Sequence, residues 1–394
     1  MGKQAVVVGL GFAGSVLARE LAQAGYSVLA IEKRSHIGGN MFEHFRPNGV
    51  RVHLYGPHIF HTNHRNVYDY LKRFTEFYPY THRVLGRIKG KLVPIPFNLT
   101  SLRSLFPEDK VSAFLQKAGE YFAARDRVYI SELTNHPDPL VAEIGMFVLE
   151  NVFVNYTAKQ WGLSVSEVDD SVLNRVPVVL SEDDRYFSDV IQVMPMEGYT
   201  PIFEKMLNHP NIHVLLDSKA SDHVTLDEVG GKVFLDGVPF LGPLVYTGPI
   251  DELFSYSLGT LPYRSVEMAF EDLNMDFFQG AAVVNYPNEE DFTRITEFKH
   301  LTLQNVLNHT TILREYPRTY RPGSHLQPYY PIPGEVNQDL YERYVLMSKQ
   351  IPNLYLCGRL AEYKYYNMDM VILQALQLSD VIIRKDTSNT KKKV

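Results

Sequence analysis

Three glycines, Gly9, Gly11 and Gly14, form G-x-G-x-x-G in VVVGLGFAG, and Glu32 ends the next apolar run. Glycines at that spacing let backbone amides at a helix N-terminus approach a diphosphate, and an acidic residue about 20 positions on accepts from a ribose hydroxyl. A second pair, Gly38 and Gly39, follows in IEKRSHIGGN, with Lys33 and Arg34 between the two glycine sites. This pair can bring another loop close to the diphosphate, and Lys33 or Arg34 can supply positive charge. A dinucleotide gripped from both sides favours a permanently held FAD, with NAD as the alternative. The plainer readings are a tight turn without ligand and an ordinary turn before a strand.

These residues need a strand–turn–helix–strand frame to act together. QAVVV (4–8) reads as a buried strand, SVLARELAQAG has apolar residues at helical spacing, and YSVLAIE reads as the next strand. THRVLGRIKGKLVPIPF alternates around Lys89-Gly90 and predicts a hairpin, as does KVFLDGVPF around its Asp-Gly turn. PEDKVSAFLQKAGEYFAARD and DPLVAEIGMFVLENVF predict amphipathic helices. NIHVLLD, PLVYTGPID, RSVEMAF, AAVVNY and TRITEFK are strand candidates, and the chain closes with NLYLCGRL as strand and MVILQALQLSDVIIRK as helix. The expected class is α/β. A Rossmann-like domain takes 1–80, 196–250 and 335–394, a helical insertion domain takes 98–175, and an antiparallel β-sheet domain takes 81–97, 176–195 and 251–334.

Composition narrows the function classes. A chain of 394 residues with net charge −6 offers no broad basic surface for nucleic acid. Its single cysteine, Cys357, excludes an internal disulfide framework and points to a reducing compartment; within NLYLCGRL it reads as a packed thiol. No run approaches the roughly 18 apolar residues of a membrane span, and glycines interrupt the N-terminal apolar stretch. A soluble, cytoplasmic protein is expected. The 25 tyrosines and 22 phenylalanines fit stacking on rings or sugars.

The chain resembles the flavin-dependent UDP-galactopyranose mutases of the bacterial type. The resemblance is carried in order by VVVGLGFAG, IEKRSHIGGN, YGPHIFHT, YTAKQWG, NRVPV, YTGPID, YRS, TRITEFKH, PYYPI and GRLAEYKYYNMD, which span nearly the whole chain. It implies that the α/β domain binds FAD and that reduced FAD is the active form. It also implies that the enzyme interconverts pyranose and furanose forms of a nucleotide-linked sugar with no net oxidation. On that resemblance flavin N5 would attack the anomeric carbon and displace the diphosphate, the sugar ring would open and close through another hydroxyl, and the returning diphosphate would displace the flavin. The nucleophile then belongs to the cofactor, and fixed cations are needed for the departing diphosphate.

Residue by residue, the resemblance makes Arg175 and Arg294 the two diphosphate-binding arginines, with Arg175 on a mobile substrate loop. His61 matches the histidine at the reacting edge of the flavin, with His58 beside it. Gly9, Gly11, Phe12, Ala13 and Gly14 would form the first cofactor turn, and Glu32, Lys33, Arg34, Gly38, Gly39 and Asn40 the second half of the grip. Arg359 would hold the FAD diphosphate, and Met368 and Asp369 would open a helix whose positive end faces the flavin. Tyr156 matches the ring stacked on the base, with Val152, Thr157, Trp161, Tyr186 and Asn285 around the nucleotide and loop. Tyr330 and Tyr365 match tyrosines of the diphosphate and sugar region. A homodimer supplying a furanose precursor for cell-surface glycans is also implied.

Three positions depart from the family pattern. Asn367 stands where the family usually has Asp, Asn155 replaces a usual Gly, and Val152 occupies a position often Phe or Leu. A smaller side chain beside the base and a neutral Asn near the sugar leave open a thymidine-diphosphate 6-deoxysugar, such as dTDP-fucopyranose, as the substrate of the same mechanism. From another class, an FAD-dependent oxidase or dehydrogenase shares the first glycine turn but needs no arginine pair. A flavin-bound binding protein with an inactivated site is the third reading.

Overall fold

The computed structural model describes residues 2–122, 125–161 and 177–391. Strand β1 (Gln4–Val8), helix α1 (Phe12–Gln23) and strand β2 (Ser27–Ile31) form the βαβ unit read from the sequence. Strands β3 (Ile212–Leu215), β4 (Leu244–Tyr246) and β5 (Leu354–Leu356) extend it into an all-parallel sheet of order β3-β2-β1-β4-β5. Both faces of such a sheet must be covered, so its strands are mostly apolar, with Gln4, Ser27 and His213 the exposed polar exceptions. Ala5 and Val7 pack on one face with α1, and helix α2 (Met368–Lys391) lies along α1. Val6 and Val8 pack on the other with Val233, Phe240 and Tyr344. Cys357, just past β5, is buried, and burial pushes its thiol up to about 12. It is the inert packing thiol expected.

The second large sheet has seven strands. Tyr330–Pro331 is at one edge, followed by Tyr263–Leu273, Thr310–Thr319, Arg294–Glu297, Val283–Asn285, Val84–Ile88 and Lys91–Ile95. All pairings are antiparallel except Val283–Asn285 with Val84–Ile88. The hairpin at Lys89-Gly90 forms with Ile88 opposite Lys91, and the Asp236-Gly237 turn joins two strands of a separate three-stranded sheet. All four turn residues have positive φ, the condition for tight hairpin turns of matching twist. A further small sheet pairs Ile191–Pro195 with both Phe60–Thr62 and Phe77–Pro79.

Helices occupy much of 99–161. Asn98 caps Leu99–Leu105 by accepting from Ser101 N at 3.0 Å, and Asp138 caps Pro139–Val148 by accepting from Leu140 N at 3.0 Å. The latter helix runs through a π-helical segment, Leu149–Val154, into Asn155–Trp161. By length and composition the run Pro139–Gln160 is long and apolar enough to cross a membrane, although its apolar residues are not consecutive. It also carries Glu143, Glu150 and Lys159, and it buries Val141, Ile144 and Val148 in the core.

Candidate active site

A cavity of about 930 Å³ runs between the parallel sheet and the seven-stranded sheet. Gly9, Gly11, Phe12 and Ala13 line it at the β1–α1 turn. Gly14 faces inward instead: a Cβ there would lie 1.8 Å from the Gly9 carbonyl oxygen, so this glycine permits close helix–strand packing. The second glycine pair folds directly onto the first turn. Gly38 N donates to Leu10 O at 2.8 Å, and a Cβ on Gly39 would lie 2.8 Å from Gly11 Cα.

Glu32 is buried at the end of β2 and accepts from Leu10 N at 2.8 Å and Arg34 N at 3.0 Å. Lys33 and Arg34 both line the cavity: Lys33 is exposed and pairs with Glu252 at 3.4 Å, and Arg34 is the more enclosed of the two cations. Its Nη2 donates to Asn40 and Gln327, its guanidinium lies 4.3 Å over the Tyr55 ring, and its Nη1 is buried without a hydrogen-bond partner. A glycine cradle, a buried carboxylate and an unmet guanidinium donor fit a dinucleotide with its diphosphate at the turn.

Also in the cavity, Arg294 projects from its strand beside Glu315 of the neighbouring strand, with Nε 2.7 Å from Oε1. Burial works against the guanidinium charge, but Glu315 together with Tyr156 and Tyr330 outweighs it and raises the Arg294 pKa above its ordinary value. Tyr156, Tyr186 and Tyr330 line the cavity near Arg294, and burial pushes all three phenols up, so they stay protonated donors at neutral pH. Tyr330 meets Tyr365 with ring centroids 5.5 Å apart, and the Arg359 guanidinium lies 5.8 Å from the Tyr330 ring centre.

His58 and His61 line the cavity as well. Burial, with His53, Arg359 and Arg294 nearby, holds the His58 ring well below the usual histidine range, so it is neutral. His61 places Nδ1 2.8 Å from Asp189 Oδ2 and stacks on Phe187 with centroids 3.6 Å apart. The segment after β5 folds over a carboxylate of its own: Glu362 accepts from Gly358 N at 2.9 Å and from the Tyr366 hydroxyl. That turn presents Arg359, Tyr365 and Asn367 to the cavity, while the Asn367 carbonyl accepts from Val371 N as α2 begins. Met368 lines the cavity; Asp369 does not, and accepts from the Thr62 hydroxyl at 2.8 Å.

Asn285 completes the cavity residues expected from the sequence. Val152 and Thr157 are buried within the helical run and do not line it. Arg175, its loop and the Trp161 side chain lie outside the described residues. Asn155 ties two elements together. Its side chain donates to Asn288 Oδ1 at 3.0 Å, while Asn288 donates to Asn151 O, fastening the helix to the loop after Asn285. Sequence reasoning missed Asp189, Glu315 and Gln327, whose partners are distant in the chain. It also missed His82, although it lines the cavity within the quoted hairpin.

A sequence model of the UDP-galactopyranose mutase family matches residues 151–365, and one for NAD(P)-binding Rossmann-like domains matches residues 7–74. The chain is 34% identical over 385 residues to the UDP-galactopyranose mutase of Mycoplasma pneumoniae, covering 96% of each protein. The chain belongs to the UDP-galactopyranose mutase family. It is therefore an isomerase of the pyranose–furanose type, built on a Rossmann-like nucleotide-binding domain. It is also 30% identical over 383 residues to the dTDP-fucopyranose mutase of Escherichia coli, covering 97% of this chain and 98% of that one. Its fold matches a crystal structure of reduced UDP-galactopyranose mutase with TM-score 0.71 at 16% identity, over 97% and 96% of the two chains.

Proposed function

We propose that this enzyme interconverts UDP-galactopyranose and UDP-galactofuranose with FAD as its resident cofactor. The observation that carries the reading is Arg294, a cation held by a buried acid in the same cavity as the dinucleotide turn. An oxidase built on the same glycine turn has no need of that guanidinium. Glu32, Arg34 and the paired glycine turns would hold FAD, with Arg359 and the start of α2 at its inner end. Bound FAD, when reduced, supplies the nucleophile, so no Ser, Cys or Lys of the chain has to.

The chain's own work is charge, orientation and protons. Arg294, with Arg175 by its sequence motif, neutralises the departing diphosphate and holds it for return. Tyr156 stacks on the base, and the hydroxyls of Tyr330 and Tyr365 bind diphosphate and sugar oxygens. His61 handles a proton at the reacting edge. The same reading makes the enzyme a cytoplasmic homodimer that supplies furanose units for cell-surface glycans.

A dTDP-6-deoxysugar is the second reading. It is favoured by Asn367, an exposed neutral residue on the cavity wall, and by the similarity to the Escherichia coli dTDP-fucopyranose mutase. Anaerobic turnover of both furanose substrates by the reduced enzyme tests the two, and the larger kcat/KM identifies the substrate. Isomerisation of neither sinks both.

A further inference from the structure

His61 sits opposite Gln192 in the small sheet, with its ring on Phe187 and its Nδ1 on Asp189. A carboxylate only accepts, so Nδ1 carries the proton of the neutral ring and Nε2 is the acceptor. With Nδ1 committed to Asp189, Nε2 is the nitrogen left for whatever occupies the cavity that His61 lines.

Asp189 is itself held in one orientation. Its Oδ1 accepts from Asn63 Nδ2 at 3.1 Å, and Asn63 cannot flip freely because its own Oδ1 accepts from Val190 N at 2.9 Å. Gln192 Nε2 donates to the carbonyls of Phe187 and Asp189 at 3.0 and 3.1 Å, tying the segment to the strand beside His61. Tyr186, at the start of this segment, lines the cavity as well.

We propose that Asp189 is a positioning residue for ring interconversion: it fixes His61 with Nδ1 protonated and turns Nε2 to the cavity as the proton acceptor. The catalytic half of this statement rests on the mutase reading above; the tautomer half rests on the hydrogen bonds alone. A carboxylate that merely anchored a surface turn would predict no dependence of turnover on the His61 tautomer.

The Asn63 orientation supplies a test. In Asp189→Asn, Asn63 still donates, so the new amide turns its oxygen to Asn63 and its NH2 to His61 Nδ1. The ring must then accept at Nδ1 and carry its proton on Nε2, which inverts the polarity offered to the cavity. A double variant combining Asn63→Asp with Asp189→Asn reverses the order. The carboxylate introduced at position 63 accepts from the amide, whose oxygen again accepts from His61 Nδ1–H.

The measurement is 15N NMR of the histidine ring nitrogens in 15N-histidine-labelled holoenzyme at pH 8, paired with anaerobic turnover of UDP-galactofuranose. Wild type is expected to show Nδ1–H. Asp189→Asn is expected to show Nε2–H, with kcat lowered about 100-fold and KM within about twofold. The double variant is expected to recover both the Nδ1–H tautomer and most of kcat. An Nε2–H ring in wild type overturns the proposal without any variant. So does an unchanged kcat in Asp189→Asn once the tautomer has moved, or a tautomer that does not move. Failure of the mutase reading shows separately, as no turnover by the reduced wild-type enzyme.

Discussion

Arg294 and Glu315 stand opposite each other on neighbouring antiparallel strands, Nε to Oε1 at 2.7 Å, with Arg294 lining the same cavity as the dinucleotide turn. Glu315 is only 3% exposed, so it serves the guanidinium rather than the surface. It fixes one edge of the fork and leaves the rest to an anion. Arg294→Ala should lower kcat by about 10²- to 10³-fold with the bound-flavin spectrum unchanged. Arg175→Ala carries the same expectation from its motif. Glu315→Ala should lower kcat/KM about tenfold by freeing the guanidinium. Steady-state turnover of reduced enzyme checks all three, and near-normal kcat/KM in Arg294→Ala contradicts the diphosphate role.

Gly39→Ala should release the cofactor. Its Cβ would lie 2.8 Å from Gly11 Cα, backbone against backbone, so the two glycine turns must part. Gly49→Ala is the control: it has φ +84 but nothing within 4 Å of a new Cβ. Each variant bears a strained left-handed alanine costing about 1 kcal/mol, but only Gly39→Ala should weaken flavin retention, by about tenfold or more. Absorbance of the purified proteins measures this, and equal flavin content in the two would contradict the paired-turn account.

His82 should make stability depend on pH. Burial, with Arg294 and His61 nearby, holds it down at about 3 against an ordinary value of 6.5. Between those values the unfolded chain binds the proton that the folded chain refuses. The full stability is therefore present above pH 6.5 and declines as pH falls through that window, by up to about 1.4 kcal/mol per pH unit. His82→Gln should flatten the fall between pH 6.5 and 5 by about 2 kcal/mol, read from urea unfolding midpoints. Parallel curves for wild type and variant would remove His82 as the cause.

Asn367→Asp tests specificity. The residue lies on the cavity wall immediately before α2, where a helix N-terminus tolerates negative charge. A carboxylate there can accept from a sugar hydroxyl that a 6-deoxysugar lacks. The variant should raise the kcat/KM of UDP-galactofuranose relative to dTDP-fucofuranose about tenfold. An unchanged ratio takes Asn367 out of the specificity argument.

What could be read from sequence was what the chain encodes locally. Gly9, Gly11, Gly38 and Gly39 sit on the cavity because turn chemistry and strand–helix order are written within about 40 residues. Lys89-Gly90 and Asp236-Gly237 made the hairpins they signalled. Residues that act through a distant partner were not legible. Asp189 gains its role from His61, 128 positions away, and Glu315 from a strand register that no spacing reveals. The strand Thr310–Thr319 was hidden by Pro317, which argues against a ladder that nonetheless runs through it. Helix Glu335–Ser348 was missed because it buries only Tyr344 and Ser348, too narrow an apolar stripe to show periodicity.

The central claim is that this protein changes sugar ring size through reduced flavin without net oxidation. Anaerobic chromatography of UDP-galactofuranose incubated with oxidised and with dithionite-reduced enzyme tests it most directly. The account predicts conversion to UDP-galactopyranose by the reduced enzyme alone, over many turnovers, with the flavin still reduced at the end. A flavin reoxidised in step with loss of the sugar, or no isomerisation of either nucleotide sugar by flavin-replete reduced enzyme, would contradict it.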